Sequence, residues 1–387
     1  VTRQNGLDTL RSAAILLVFM SHYYGFVSDN ATFGIVSQLG WAGVDLFFVL
    51  SGYLIGDQIL AGLAQGKNLS LPAFYKRRLL RTLPNYWVVL ALYFIFPAFM
   101  GGNKPPPLWR FLTFTQNILL KPGTAFSHAW SLCVEEQFYL LLPLLCLAFV
   151  KAGRPRAAAW MTLGGLVAIG MAARWYYWIH YGSAPAGTYL RAPYYGRVYY
   201  GTISRFDEFL PGVGIALLKN FHPAAWEKLI THGNGWLAAG CVAVVGVAAL
   251  FLDDYFIQGT GYAFTATVFG YSWVAMSFGL LVMAALSPGS LLHRLRIPGA
   301  TPLALWSYAF YLVHKPIMMI LRRELPAEWD WDSPRTVAVI FAASLTGGWL
   351  LHSLVETPFM RLRRKVAPSN FAPAPSPLAE PASVPAE

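Results

Sequence analysis

Arg11 and His22 are the first residues in this sequence whose types and spacing could do chemistry. They bracket an apolar run, Ala13 to Met20, and stand eleven positions apart. On an α-helix that interval is about three turns, so both side chains share one face. They lie about 16 Å apart along the axis at ~1.5 Å per residue. Ionisable groups inside an apolar helix are costly and mark functional sites by default. The plainer reading makes Arg11 a membrane-boundary residue and His22 a packing residue.

Other polar groups fall inside apolar stretches too. Asp45 lies in Gly43-Val44-Asp45-Leu46-Phe47-Phe48, and Asp57 follows twelve positions later. If the first two apolar stretches form a hairpin turning near residue 33, His22 is level with Asp45 and Arg11 with Asp57. A carboxylate beside a histidine fixes its tautomer for general base catalysis. The structural alternative is an interhelical ion pair. Arg77, Arg78 and Arg81 form a basic turn in which Arg77 and Arg81 share a helical face. Guanidinium forks suit phosphate oxygens, and the same turn could instead anchor the chain beside anionic lipid. In Trp130-Ser131-Leu132-Cys133-Val134-Glu135, Ser131 and Glu135 share a face, with Glu135 near the expected depth of His22. The segment 181–206 is rich in Tyr, Arg and Gly, including Tyr189, Tyr194, Tyr195, Tyr199, Tyr200 and Arg205. Such a segment fits an interfacial aromatic belt or a loop that holds a sugar. Asp207 follows it, and His314 sits in a later apolar stretch that Pro316 could kink.

These groups need a scaffold, and the composition names its class. Of 387 residues, 56% are hydrophobic and only 12% are charged, against roughly a quarter charged in soluble domains. The chain is read as an all-α, polytopic transmembrane helical bundle of about ten helices. Its segments are placed near 10–27, 39–60, 84–100, 130–150, 157–179, 207–218, 236–252, 264–286, 302–321 and 335–355, at ~20 residues per crossing. The weakest is 207–218, which is short and carries Asp207 and Glu208. The N-terminal stretch lacks a small-residue cleavage site after Met20, so it reads as a retained span. Lysine and arginine exceed acids, 29 to 18, but in short runs between apolar segments. That pattern argues for topology and against nucleic acid. The runs at 76–81 and 361–365 fall on one side with the N-terminus, which places both termini in the cytoplasm of a cell (plasma) membrane protein. Three cysteines, all in apolar stretches and without CxxC spacing, imply neither a disulfide framework nor a zinc site. No metal is expected. The division is a membrane domain over 1–366 and a Pro- and Ala-rich cytoplasmic tail over 367–387, read as disordered.

Taken in order, the motifs resemble the acyltransferase-3 family of integral membrane acyltransferases. The resemblance runs over about 6–365. It rests on Gly6-Leu7-Asp8 with Arg11 and His22, Gly43-Val44-Asp45-Leu46-Phe47-Phe48-Val49-Leu50-Ser51-Gly52, Arg77-Arg78-Leu79-Leu80-Arg81, and Trp130-Ser131-Leu132 through Glu135 to Phe138-Tyr139. Arg205-Phe206-Asp207, Tyr311-Leu312-Val313-His314-Lys315-Pro316 and Val355-Glu356-Thr357-Pro358 complete it. Each motif is weak alone; in this order the set is specific. Thr9 stands where many members have a small residue.

The resemblance implies transfer of an acyl group, often acetyl, from cytoplasmic acyl-CoA to a hydroxyl of a carbohydrate or other polar small-molecule acceptor. It implies essential roles for Arg11 and His22 and ties Arg77, Arg78 and Arg81 to activity, here as the acyl-CoA contact. Asp45 or Glu135 would orient His22, acting as general base or as acyl carrier. Trp130, Arg205, Asp207 and His314 are the candidate acceptor-binding residues. The competing reading is a multi-span transporter of a small solute, which also needs polar residues in helices. No inverted repeat or matched pair of broken helices is legible in the sequence.

Overall fold

The computed structural model describes residues 4–101, 105–153, 156–182, 191–253, 256–257, 261–326 and 328–372. Tyr189 and the tail beyond 372 lie outside them. The rest is almost wholly helical. In order, the principal helices are α1 (Asn5–Tyr23), α2 (Ala42–Ala64), α3 (Leu71–Ile95), α4 (Trp130–Lys151), α5 (Arg156–Tyr177) and α6 (Leu210–Phe221). Then follow α7 (Gly233–Asp253), α8 (Tyr271–Leu286), α9 (Ala300–Glu324), α10 (Pro334–Leu351) and α11 (Thr357–Val366). One two-residue hairpin pairs Phe256–Ile257 with Gly261–Tyr262.

Among the described residues, eight helical stretches are long and apolar enough to cross a membrane. The two other expected segments are helical as well. α3 runs for 25 residues but takes the basic turn Lys76–Arg81 into its first half. α6 has only 12 residues, so it cannot cross a ~30 Å hydrocarbon layer alone. Pro316 does not end its helix; α9 continues through it to Glu324.

Burial sorts the helices into a centre and a periphery. Of the apolar windows, 72% of Ala266–Leu286 and 61% of Ala42–Ala64 is buried, against 6% of Arg156–Gly182. α1 packs on α2, α8 and α9, and α2 also packs on α6 and α8. α5, α7 and α10 present large apolar side chains outward, Trp175, Val242 and Trp349 among them. Without a hydrophobic drive between helices in lipid, close packing relies on small residues. Gly52 of α2 and Gly212 of α6 make this concrete. A Cβ on Gly52 would lie 2.0 Å from the Phe209 carbonyl oxygen, and one on Gly212 would lie 2.1 Å from that of Val49.

Two ordered segments differ from the sequence expectation. Residues 367–372 are not a loose tail: Leu69 bridges Phe371, Ser70 N–H donates to the Asn370 carbonyl, and the Phe371 ring fills the space beside Gly62. The reversal between α1 and α2 is not a plain hairpin. It opens with a π-helical turn over Tyr24–Ser28 and carries a short helix, Ile35–Leu39. Asp332, in the loop between α9 and α10, fastens this turn by accepting from the hydroxyls of Ser28 (2.5 Å) and Thr32 (2.6 Å) and from Asn30 Nδ2 (2.7 Å).

Those hydrogen bonds hold the Asp332 carboxyl below the usual carboxylate range. The clamp is therefore fully present above the unfolded carboxyl pKa and is lost as pH falls through the lower folded value. The amide protection factors over 28–32, which are corrected for the intrinsic pH dependence of exchange, should fall on acidification below about pH 4, and in Asp332→Asn they should already be low at neutral pH. Gly212→Val should cost at least the ~1–3 kcal/mol of ordinary overpacking, read as a lower melting temperature in detergent.

Candidate active site

α1, α4 and α9 line two chambers, one at each end of the Arg11–His22 face; α2, α3 and α11 complete the first, and α8 with residues 195–200 the second. The basic chamber, about 310 Å³, is lined by Arg11, Arg78, Arg81 and Arg363 together with Ser131, Glu135, Tyr139, Tyr308 and Tyr311. Glu135 accepts hydrogen bonds from the hydroxyls of Ser51 and Tyr139. Arg78 lies over the Tyr139 ring, 5.4 Å from its centroid. Arg81 pairs with Glu356, which Asn85 Nδ2 also reaches at 2.9 Å. Arg77 is not part of this lining: its guanidinium donates to the Ala367 carbonyl at 2.5 Å. Arg363 is the member that sequence reasoning missed. Its run, 361–365, had been explained as topology, although it lies on the same expected side as the basic turn of α3.

The second chamber, about 260 Å³, is lined by His22, His128, Ser127 and Lys315 and by a ring of aromatics including Trp41, Trp130, Tyr199, Tyr200 and Tyr271. The partners of its imidazoles assign their proton positions. His314 Nδ1 lies 3.1 Å from the Phe310 carbonyl oxygen. A carbonyl only accepts, so Nδ1 carries a proton. A second proton on His314 would add a cation beside Lys315 with no acidic residue among the chamber lining, so its Nε2 is a lone pair. His22 Nδ1 lies 2.6 Å from that Nε2 and therefore donates to it. The chain His22 to His314 to Phe310 leaves the lone pair of His22 on Nε2, the atom suited to accept a proton. The two ring planes are parallel to within 6°, with centroids 4.9 Å apart, as an in-plane N–H···N bond requires. His128 donates from Nε2 to the Leu312 carbonyl at 3.2 Å, leaving its Nδ1 buried and without a partner among the described residues.

The chambers share no lining residue, and neighbours in the chain serve one each: Trp130 the aromatic side, Ser131 the basic side. Tyr311 donates to the His128 carbonyl at 2.6 Å and accepts from Ser131 Oγ at 2.7 Å. This short bridge, with Trp130 against Phe48, forms the partition.

The expected partners of His22 are elsewhere. Asp45 pairs with Arg205 at 3.0 Å, and Arg205 with Glu208 at 2.7 Å. Asp57 pairs with Lys219 at 2.9 Å rather than with Arg11. Glu135 faces the basic chamber. A plain hairpin would set His22 level with Asp45; the inserted π-helical turn and short helix shift the register, and cations from other segments take up the acids. Arg205 is a wall residue: fully buried, it lies 4.1 Å from the Tyr271 ring centroid and 5.1 Å from that of Tyr199. Asp207 is bound bidentate by Arg174 at 2.7 and 2.9 Å and accepts from Ser272, away from the chamber. His314 is held by His22, while Trp130 does line the aromatic chamber. No cluster able to hold a metal ion occurs among the described residues.

Residues 4–353 match a family model described as acyltransferase domain, acyltransferase-3. The chain belongs to that family. It is a multi-pass membrane acyltransferase domain. It is 27% identical over 387 aligned residues to the peptidoglycan O-acetyltransferase OatA of Listeria monocytogenes, covering 92% of this chain and 55% of that protein. It is 29% identical to the putative peptidoglycan O-acetyltransferase YrhL of Bacillus subtilis, over 81% of this chain and 48% of that one. With the O-acetyltransferase OatA of Staphylococcus aureus it shares 27% identity, over 82% and 51%. The chain thus spans about half the length of these relatives. No solved structure matches it.

Asp207→Ala strands the buried Arg174 charge, which should cost about 3–5 kcal/mol. The expected result is loss of the folded, monodisperse protein in detergent at temperatures where Trp130→Phe survives.

Proposed function

We propose that this domain moves an acetyl group from cytoplasmic acetyl-CoA to a hydroxyl of a glycan acceptor on the far side of the membrane, with His22 as general base. The observation that carries this reading is the His22–His314–Phe310 chain, which leaves His22 Nε2 open in a chamber walled by aromatics. Both termini are read as cytoplasmic, from the basic runs at 76–81 and 361–365, so the arginine-lined chamber faces the donor.

In this reading the phosphates of the donor meet Arg78, Arg81 and Arg363, whose forked donors match phosphate oxygens. Arg77 drops out of the donor site because it does not line the basic chamber; it donates instead to the Ala367 carbonyl. A chamber of about 310 Å³ is at the small end of ligand sites. It suits the pantetheine arm, with the nucleotide left at the basic rim. Arg11, which makes no hydrogen bond to a described side chain and faces the same chamber, is placed to steer the arm toward the Ser131–Tyr311 partition. The thioester has to pass that partition to reach His22.

At His22 the acceptor hydroxyl gives its proton to Nε2 as its oxygen attacks the thioester carbon. The carbon–sulfur bond then breaks, and the thiolate leaves with the proton His22 returns. An imidazole neutral at physiological pH suits both steps. Trp130, Tyr199, Tyr200 and Tyr271 offer flat faces to a sugar ring. The relatives named for peptidoglycan support a glycan of that kind as the acceptor. The acyl-histidine route remains the alternative within the same site.

Membranes given radiolabelled acetyl-CoA should fix label on a glycan acceptor. His22→Ala should lower that transfer by about 10²–10⁴-fold, the usual worth of a general base, in protein that still inserts and folds. Full transfer by His22→Ala, or uptake of an unmodified solute in place of labelled glycan, would contradict the reading. Arg78→Ala should raise the donor KM about tenfold or more, from one lost charge-assisted hydrogen bond of ~1.5–3 kcal/mol.

A further inference from the structure

Among the described residues, Lys315 is a buried cation without an acidic partner. It is 4% exposed and lines the aromatic chamber with His22. Its ammonium donates to Ser127 Oγ at 2.9 Å and lies 4.1 Å from the centroid of the Phe26 ring. It forms no ion pair with a described residue, and the chamber lining contains no Asp or Glu. Elsewhere in this protein the buried cations Arg174 and Arg205 are answered by Asp207, Asp45 and Glu208. An uncompensated charge in lipid-depth protein is expensive. An ammonium has three donors, and Ser127 takes one.

The backbone that supplies Ser127 is itself unusual. Phe126 has φ 54° and ψ 27°, the left-handed region, which a bulky residue adopts at a cost of order 1–3 kcal/mol. An aromatic cluster holds it there: its ring lies 4.7 Å from that of Tyr93, 5.6 Å from that of Tyr86 and 5.9 Å from that of Phe111. Such conformations persist only where the surroundings over-determine them, and they cluster at functional sites. Here the turn aims Ser127 at Lys315.

We infer that Lys315 is a catalytic residue that stabilises the oxyanion formed on the acyl carbonyl, with Ser127 as its positioning residue. This rests on the proposed transfer at His22. When the acceptor oxygen bonds to the thioester carbon, the carbonyl π pair moves onto oxygen and the acceptor proton moves to His22 Nε2. The new negative charge is the anion the chamber lacks, and Lys315 donates a hydrogen bond to it. On collapse the π bond re-forms, the carbon–sulfur bond breaks, and the thiolate takes the proton from His22. Lys315 remains an ammonium throughout, so no further reactant is needed. A pre-organised donor aimed at developing charge in a water-poor site contributes typically 10²–10³-fold to turnover.

The full chain, reconstituted in vesicles with acetyl-CoA and peptidoglycan glycan strands, tests this through release of free thiol and label fixed on glycan. Lys315→Met should lower kcat about 10²–10³-fold with the KM of donor and acceptor changed less than about threefold. Lys315→Arg should retain more than Lys315→Met. Lys315→Cys should be as slow as Lys315→Met and recover on alkylation with 2-bromoethylamine, which restores an ammonium at nearly the same reach. That pair also decides the matter if Lys315→Met does not fold. A kcat within threefold of the parent in Lys315→Met, or a loss confined to acceptor KM, overturns the inference; the latter means the ammonium recognises an acidic group on the acceptor. Turnover lost in His22→Ala but kept in Lys315→Met defeats this inference alone, whereas turnover kept in His22→Ala defeats the reading beneath it.

Discussion

The hydrogen bond from His22 Nδ1 to His314 Nε2 is the constraint on which the site depends. It crosses from α1 to α9, the helices that hold the two ends of the chain's chemistry together. It requires that His314 already be committed to the Phe310 carbonyl within its own helix. Stacking of His314 on the Phe310 ring, 5.6 Å apart at 10°, keeps the imidazole in that plane. The result is a histidine oriented by a neutral histidine rather than by a carboxylate. The charge that a carboxylate would have brought is absent from the chamber, and that keeps the chamber's electrostatics cationic.

The placement of acids explains how this is sustained. Asp45, Asp207 and Glu208 are spent in buried pairs with Arg205 and Arg174. Glu356 is spent on Arg81 and Asn85, and Glu135 on Ser51 and Tyr139. Each pair satisfies groups that would be costly unpaired, and together they brace α2, α5, the turn at 202–209 and the basic end of the bundle. Arg205 does more than brace. Its guanidinium stands behind Trp130, Tyr199 and Tyr271, so the aromatic wall of the chamber rests on a fixed cation. The separation of arginines at one end from imidazoles at the other matches the direction in which an acyl donor would travel. The Ser131–Tyr311 bridge is the step between them.

Much of this was legible in the residues. Apolar run length marked the helices, and only α6, twelve residues long, and the basic half of α3 resisted that reading. The Arg11–His22 face followed from helical spacing alone, and each residue does line a chamber. The partner of His22 was not legible. His314 is 292 positions away, and no local period reports such a distance. The nearer acid, Asp45, was chosen because a hairpin is a local device, and the π-turn at Tyr24–Ser28 carries no composition signal. Lys315 was hidden for another reason. It follows His314 directly, but a single lysine in an apolar stretch looks like an interfacial anchor until its lack of a counter-ion is seen in three dimensions. The ordered strap at 367–372 was missed because Pro- and Ala-rich composition reads as loose chain, whereas its contacts with Asn68–Ser70 and Gly62 are tertiary.

The tautomer of His22 is the most direct test. In protein labelled with ¹⁵N-histidine, with the His22 signals assigned by their loss in His22→Gln, the account predicts a protonated, hydrogen-bonded Nδ1 and a proton-free Nε2 at neutral pH. A proton on Nε2, or an Nδ1 that accepts rather than donates, would contradict it.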